Sequence, residues 1–203
     1  MPQPRTRIVF GITGASGTAY ARVLLQELLR LDVEIHLVVS AAGMLVIKEE
    51  LDIPFPDGRF DIQRYLNQPV PKDRVIQYED NDLAAPPASG SFRTAGMVIC
   101  PCSMRTLATI ASGTGGSLIT RAADACLKER RRLVLVPRET PLSLVHLRNM
   151  VSVTEAGAIV LPAMPGFYKK PQSIDDLLRH VALKVLDVLG LEHSLDLRWK
   201  DPD

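Results

Sequence analysis

The chain has 203 residues, 46% of them hydrophobic and 23% charged, which suits a globular protein able to bury a substantial core in one domain. Lys and Arg number 24 against 23 Asp and Glu, so bulk charge gives no ground for a polyanion-binding surface, and nucleic acid is set aside. The opening MPQPRTR lacks the apolar core of a signal peptide, and no apolar run reaches the roughly 18 residues of a membrane span, so a cytoplasmic protein is expected.

In chain order, the strand RIVFGI leads into a helical pattern over 17–31, and VEIHLVV leads into one over 40–51. Residues 53–93 are rich in Pro, Gly and Asn and read as an excursion with one helix and one short strand, not as a linker. AGMVICP then precedes helices over 104–112 and 117–130, RRLVLVP precedes a helix over 142–155, and GAIVLP precedes one over 173–189. Strands of nearly continuous Val, Ile and Leu are buried on both faces, as in a parallel sheet covered by helices. The expected fold is α/β, a three-layer open parallel sheet with right-handed crossovers. Residues 1–203 form one domain in this reading. The polar tail from about residue 190 carries the only tryptophan, Trp199, and packs on itself or on a neighbouring subunit.

The first chemical signal is GITGASG, residues 11–17. Glycines between a strand and a helix allow close backbone approach, and the helix N-terminus attracts an anion. The spacing is G-x-x-G-x-x-G, however, and the second strand ends in Val39-Ser40-Ala41 without the acid that holds a dinucleotide ribose. NAD is therefore not supported. Ser16, and less so Thr13, supplies a hydroxyl either to a bound phosphate or to a helix cap.

PCSMRTLATIASG places Ser103, Met104, Arg105 and Thr106 where a second buried strand, stopped by Pro101, meets solvent. Ligands of open α/β sheets bind along that edge; a plain capped helix is the competing reading. The three cysteines Cys100, Cys102 and Cys126 have no zinc-type spacing and read as buried free thiols. SGTGGS, residues 112–117, brings backbone close to a neighbouring element or a ligand.

Arg121, Asp124 and Lys128 share one helical face, while KERRR reads as a solvated helix end. Arg138 and Glu139 follow a buried strand and precede Thr140-Pro141, read as N-cap and first residue of the next helix. Arg138 offers a planar donor fork, and Glu139 can accept or relay a proton. After the last strand, LPAMPGFYKKPQS fixes an irregular loop from which Tyr168 projects, and Ser173 caps a closing helix that carries Lys184.

GITGASG, PCSMRTLATIASG, RAADACLKERRRLVLVPRETPLS, HLRNM and PGFYKKPQS, in this order over nearly the whole chain, resemble the UbiX-type flavin prenyltransferases, formerly described as phenylacrylate or hydroxybenzoate decarboxylase subunits. The resemblance implies a Rossmann-like sheet of the flavoprotein type. It also implies FMN, reduced and used as a substrate, held by Gly14, Ala15, Ser16, Ser40, Ser103, Met104, Arg105, Thr106 and Arg138. The implied prenyl donor is dimethylallyl monophosphate, its phosphate held by Arg121, Lys128, Arg138, Tyr168 and Lys184, with Lys128 coming from a neighbouring subunit.

Ser16, Glu50, Lys128, Glu139 and Trp199 match the family's catalytic positions. No metal is implied. The product would be FMN prenylated at N5 and C6, consumed by a UbiD-type decarboxylase in ubiquinone synthesis or aromatic acid metabolism, and the enzyme a homo-oligomer, expected to be a dodecamer. Two alternatives stand beside this. An FMN-dependent cysteine decarboxylase would carry Pro-Ala-Ser-Ala-Asn-Thr where this chain has PCSMRT, and a flavin carrier would have no use for the cationic second pocket. Lys184, where relatives have Arg, keeps the charge and loses the bidentate fork.

Overall fold

A computed structural model describes residues 5–193. Six strands, β1 (Thr6–Ile12), β2 (Val33–Val39), β3 (Val75–Glu79), β4 (Gly96–Cys102), β5 (Arg132–Pro137) and β6 (Ile159–Val160), form one parallel sheet in the order β3-β2-β1-β4-β5-β6. Among the described residues seven α-helices surround it: α1 (Thr18–Arg30), α2 (Ala41–Leu51), α3 (Ile62–Leu66), α4 (Met104–Ser112), α5 (Leu118–Lys128), α6 (Leu144–Glu155) and α7 (Ile174–Leu189).

The strand residues alternate between two apolar clusters, one on each face. Ile8, Phe10 and Ile12 pack with Leu24 and Leu28 of α1 and Leu186 of α7. Met97 and Ile99 pack on the other side with Leu107 of α4 and Ile119 of α5. Each fully buried aliphatic or aromatic side chain of this kind contributes about 1.5–3 kcal/mol, which is why the Val/Ile/Leu runs become the central strands. The three layers follow, as a Rossmann-like flavoprotein sheet requires. Among the described residues no helix is long and apolar enough to cross a membrane.

Chain progression runs outward from β1 through β2 to β3, and outward from β4 through β5 to β6. The order therefore reverses between β1 and β4, and the crevice outside their carboxyl ends is where an open α/β sheet takes a ligand. The excursion supplies α3 and β3. Tyr65, fully buried, donates its hydroxyl to the Thr18 carbonyl at 2.6 Å and so ties the excursion to the start of α1.

Three local expectations need correction. Pro101 does not stop the strand: β4 runs through it to Cys102 with a register shift against β5, because the Pro101 carbonyl is taken by Thr13 while the ring has no N–H to give. Thr140-Pro141 does not open α6, whose N-cap is Ser143 in a reciprocal capping box with His146, while the Thr140 N–H donates to Glu139. The KERRR end is not simply solvated. Arg131 donates to the carbonyls of Gly90 and Phe92, each at 2.6 Å, and Arg132 donates to that of Leu189, so one loop and the end of α7 are pinned there. Gly190 ends α7 in the left-handed conformation at φ 71°. Trp199 and most of the tail lie outside the described residues.

Candidate active site

The opening turn is built differently from a bare phosphate loop. The N-cap of α1 is Gly17 at φ 101°, with no side chain of its own to satisfy the helix N-terminus. Glu50, from the last turn of α2, does this instead. Its carboxylate accepts from the Gly17 N–H at 2.9 and 3.0 Å, the Thr18 N–H at 2.9 Å and the Thr18 hydroxyl at 2.8 Å. Burial acts to raise the Glu50 pKa, but hydrogen bonds from Ser16, Thr18 and Gly17 outweigh it and hold it below the ordinary carboxylate value. Ser16 is thus neither the helix cap nor idle: it sits on the Glu50 carboxylate. Arg138 lies over the same turn, its Cγ 3.9 Å from where a methyl on Gly17 would stand.

Of the helices that begin at this edge, α1, α2, α4 and α5 start around the opening turn and the cleft beside it, and their N-termini divide into two kinds. Those of α1 and α5 are neutralised by the chain's own carboxylates. At α5, Asp80 accepts from the Leu118 N–H through its carbonyl at 2.7 Å and from the Ile119 N–H through its carboxylate at 3.0 Å. Those of α2 and α4 are capped by neutral serines, Ser40 accepting from the Gly43 N–H and Ser103 from the Thr106 N–H, with no acid in either first turn. An anion therefore meets uncompensated dipoles at α2 and α4 and repulsion at α1 and α5. A cleft of about 610 Å³ opens there, lined among others by Gly14, Ser40, Ser103, Arg105, Thr106 and Asp80. Gly14 is there because nothing larger fits: a Cβ on it would stand 2.6 Å from that of Ala42.

Thr13 holds the two central loops together. It is 2% exposed, donates its hydroxyl to the Pro101 carbonyl at 2.9 Å and accepts the Ser103 N–H at 2.8 Å. Thr13→Val keeps the shape and orphans the Ser103 N–H, so a loss of about 2 kcal/mol is expected, read as a lower urea midpoint at unchanged m-value.

Of the residues singled out in the sequence, the structure thus gathers Gly14, Ser40, Ser103, Arg105 and Thr106 around one cleft, and Ser16, Glu50 and Arg138 over the first turn of α1. Ala15 is buried within the turn, and the Met104 side chain is buried in the core under α4, away from the cleft lining. Glu139 is exposed beside Arg138 and accepts from the Thr140 N–H.

Tyr168 projects from the loop after β6 and bonds His180 of α7, one turn before Lys184. Arg121 pairs with Asp124 at 2.7 Å near the cleft end of α5. Lys128 stands at the opposite end, two helical turns or about 10 Å further along, beside Glu129 and Gly90. The thiols are buried and their pKa values raised, Cys102 to about 12 and Cys126 to about 11, as inert core residues. Asp80 and His180 were not legible as part of a site, and Thr13, expected to offer its hydroxyl to a phosphate or a cap, ties the Pro101 and Ser103 backbone instead. The signals available were the i, i+4 spacing of His180 to Lys184 and the Asp80-Asn81-Asp82 turn before a glycine-rich stretch.

Known proteins share this sequence and fold. A flavoprotein family model matches residues 2–185. A flavin prenyltransferase UbiX of Alkalihalophilus pseudofirmus is 50% identical over 189 residues, which cover 93% of this chain and 94% of the relative. The flavin prenyltransferase LpdB of Lactiplantibacillus plantarum is 47% identical over 96% of this chain and 98% of its own. Among solved structures, AnUbiX (PadA1) in complex with FMN and dimethylallyl pyrophosphate superposes with a TM-score of 0.85 at 45% identity, covering 98% of this chain and all of that one. A dodecameric FMN-dependent UbiX-like decarboxylase from Escherichia coli O157:H7 gives 0.82 at 41% identity, covering 97% of this chain and 100% of that one. The chain belongs to the flavoprotein family and, within it, to the UbiX flavin prenyltransferases.

Proposed function

We propose that this protein joins the dimethylallyl group of dimethylallyl monophosphate to N5 and C6 of reduced FMN, giving prenylated FMN for a UbiD-type decarboxylase. The observation that carries this is the hydroxyl-lined cleft at two serine-capped helix N-termini, with the Arg138 cation standing outside its lining, over the first turn of α1. A protein that only stored or carried FMN would need the cleft and not the cation outside it.

The cleft's donor set fits FMN. Ser40, Ser103 and Thr106 with the N-termini of α2 and α4 suit a phosphate, Arg105 adds charge, and Gly14 and Ala42 leave room for a flexible chain. Asp80 suits the hydroxyls of that chain and would repel a second phosphate, in keeping with a mononucleotide. Reduced FMN would supply the nucleophilic positions, and the prenyl phosphate the electrophilic carbon and leaving group.

The chain's own residues then divide the work. Arg138, Tyr168 and Lys184, with Arg121 and the Lys128 of a neighbouring copy, bind the departing phosphate by charge-assisted hydrogen bonds. Glu50, kept ionised by its donors, accepts a proton through Ser16, and Glu139 stands at the other side of Arg138 as a second proton acceptor. Residues 1–203 act as one cytoplasmic domain in this reading. Self-association is supported by the outer face of α6, where Leu144 and Val145 are 61% and 63% exposed, and by the dodecameric relative.

Anaerobic incubation of the purified protein with reduced FMN and dimethylallyl monophosphate is expected to give a flavin heavier by one isoprenyl unit. Unchanged FMN recovered from folded, flavin-bound protein sinks the reading. A parallel incubation with the pyrophosphate, the form bound to AnUbiX, decides which phosphate the second pocket takes.

A further inference from the structure

His180 is a titratable side chain that the proposed reaction has so far left unused. Its ring has two partners on opposite nitrogens: Nδ1 lies 3.2 Å from the Gly166 amide nitrogen and Nε2 lies 3.0 Å from the Tyr168 hydroxyl. A backbone N–H only donates, so Nδ1 must be the acceptor and carry no proton. The neutral ring then has its proton on Nε2, where it is donated to the Tyr168 oxygen. Burial, followed by the Lys184 ammonium one turn along α7, lowers the His180 pKa and keeps that neutral form. With its oxygen accepting from His180, the Tyr168 phenol must direct its own proton to an acceptor other than His180. An anion such as a phosphate oxygen is the matching acceptor.

The packing is as specific as the hydrogen bonds. The Tyr168 and His180 rings meet edge to face, centroids 5.4 Å apart at 76°. Gly166 makes the arrangement possible, since a Cβ on it would stand 2.8 Å from Tyr168 Cε1 and 3.0 Å from His180 Nε2.

The geometry points to His180 as a positioning residue of the prenyl-phosphate pocket: the Gly166–His180–Tyr168 chain fixes the Tyr168 hydroxyl as a donor aimed at the substrate phosphate. This rests on the assignment of Tyr168 to that phosphate, so the test separates the two. His180→Phe keeps an aromatic ring and removes both hydrogen bonds; His180→Gln can restore both through its amide. For His180→Phe the KM for dimethylallyl monophosphate is expected to rise about fivefold, with kcat and FMN affinity within about twofold of wild type.

His180→Gln should recover most of the loss, which a merely structural role of the ring would not produce. Tyr168→Phe serves as the reference. If it raises KM and His180→Phe does not, the role of His180 is overturned and that of Tyr168 stands; if neither raises KM, the assignment of Tyr168 itself has failed. Should His180→Phe not fold, neutron diffraction from the deuterated wild-type protein decides: a deuteron on Nε2 alone is the expected result, and one on Nδ1 overturns the proposal.

Discussion

Glu50→Gln is expected to lower prenyl transfer about 100-fold or more while the protein still folds and retains FMN. The reason lies in what the carboxylate touches. Its oxygens face only donors: the N–H groups of Gly17 and Thr18 and the hydroxyls of Thr18 and Ser16. Glutamine offers one acceptor and turns an NH₂ group toward the remaining donors, so the substitution adds a repulsion to the lost hydrogen bonds. It also removes the negative charge that compensates the α1 dipole, and about 1–2 kcal/mol of stability should go with it.

The pH dependence separates this capping role from general loosening. Because the folded-state pKa of Glu50 is held below its ordinary 4.5, the ionised carboxylate contributes its full stability above that value. The contribution is lost as pH falls through the lowered folded value. Wild type should therefore exceed Glu50→Gln in stability by a constant amount from neutral pH down to about 4.5, and the two urea midpoints should converge below it. A constant difference across the whole range would mean that Glu50 does not act through its charge, and wild-type kcat in the variant would remove Glu50 from the chemistry.

Glu50 also marks where sequence reasoning reaches its limit. The partner of the opening turn lies 33 residues away on another helix, and no local spacing announces it. The strands were legible because residues buried on both faces have to be continuously apolar, as in VEIHLVV and RRLVLVP. The last one was legible in type but not in extent. GAIVLP yields a regular β6 of only two residues, yet the Leu161 and Ala163 N–H groups go on bonding Leu135 and Pro137, so the pairing outlasts the ladder that Pro162 interrupts.

Caps were readable where serine preceded a strong amphipathic run, as at Ser173. They were misread where Thr140-Pro141 imitated the pattern three residues before Ser143, the residue that supplies a capping box. The state of the helix N-termini was hidden for the same reason. The sequence shows which helices follow glycine-rich turns, but not that Glu50 and Asp80 fold back over two of the four N-termini and leave α2 and α4 as the open ones. Lone polar residues such as His180 and Asp80 take their meaning from neighbours brought in by the fold.

Lys128→Ala is expected to cost about 100-fold in turnover, and the loss should be recoverable by a partner that is itself inactive. Within one chain, α5 begins at the cleft, where Thr120 lines it, and Lys128 closes the helix at its other end, eight residues beyond Thr120. At about 1.5 Å per residue this separation is about 12 Å along the axis, too far for a lysine side chain to return to its own cleft. Its ammonium instead stands beside Gly90, whose Cβ would lie 2.6 Å from Nζ, with the carbonyls of Gly90 and Phe92 fixed by Arg131. If Lys128 serves the site of a neighbouring copy, each site takes Glu50 from one subunit and Lys128 from another.

Co-assembling equal amounts of Glu50→Gln and Lys128→Ala subunits then creates sites in which both residues are wild type. Random mixing gives about a quarter of sites this composition, so activity should return to about a quarter of the wild-type value, far above either parent. Activity that stays at the mean of the two parents would place Lys128 in its own subunit's site or outside the site altogether. A pull-down through a tag carried by one variant alone shows whether mixed oligomers have formed, because recovery requires them and must vanish when the two variants are kept as separately assembled pools.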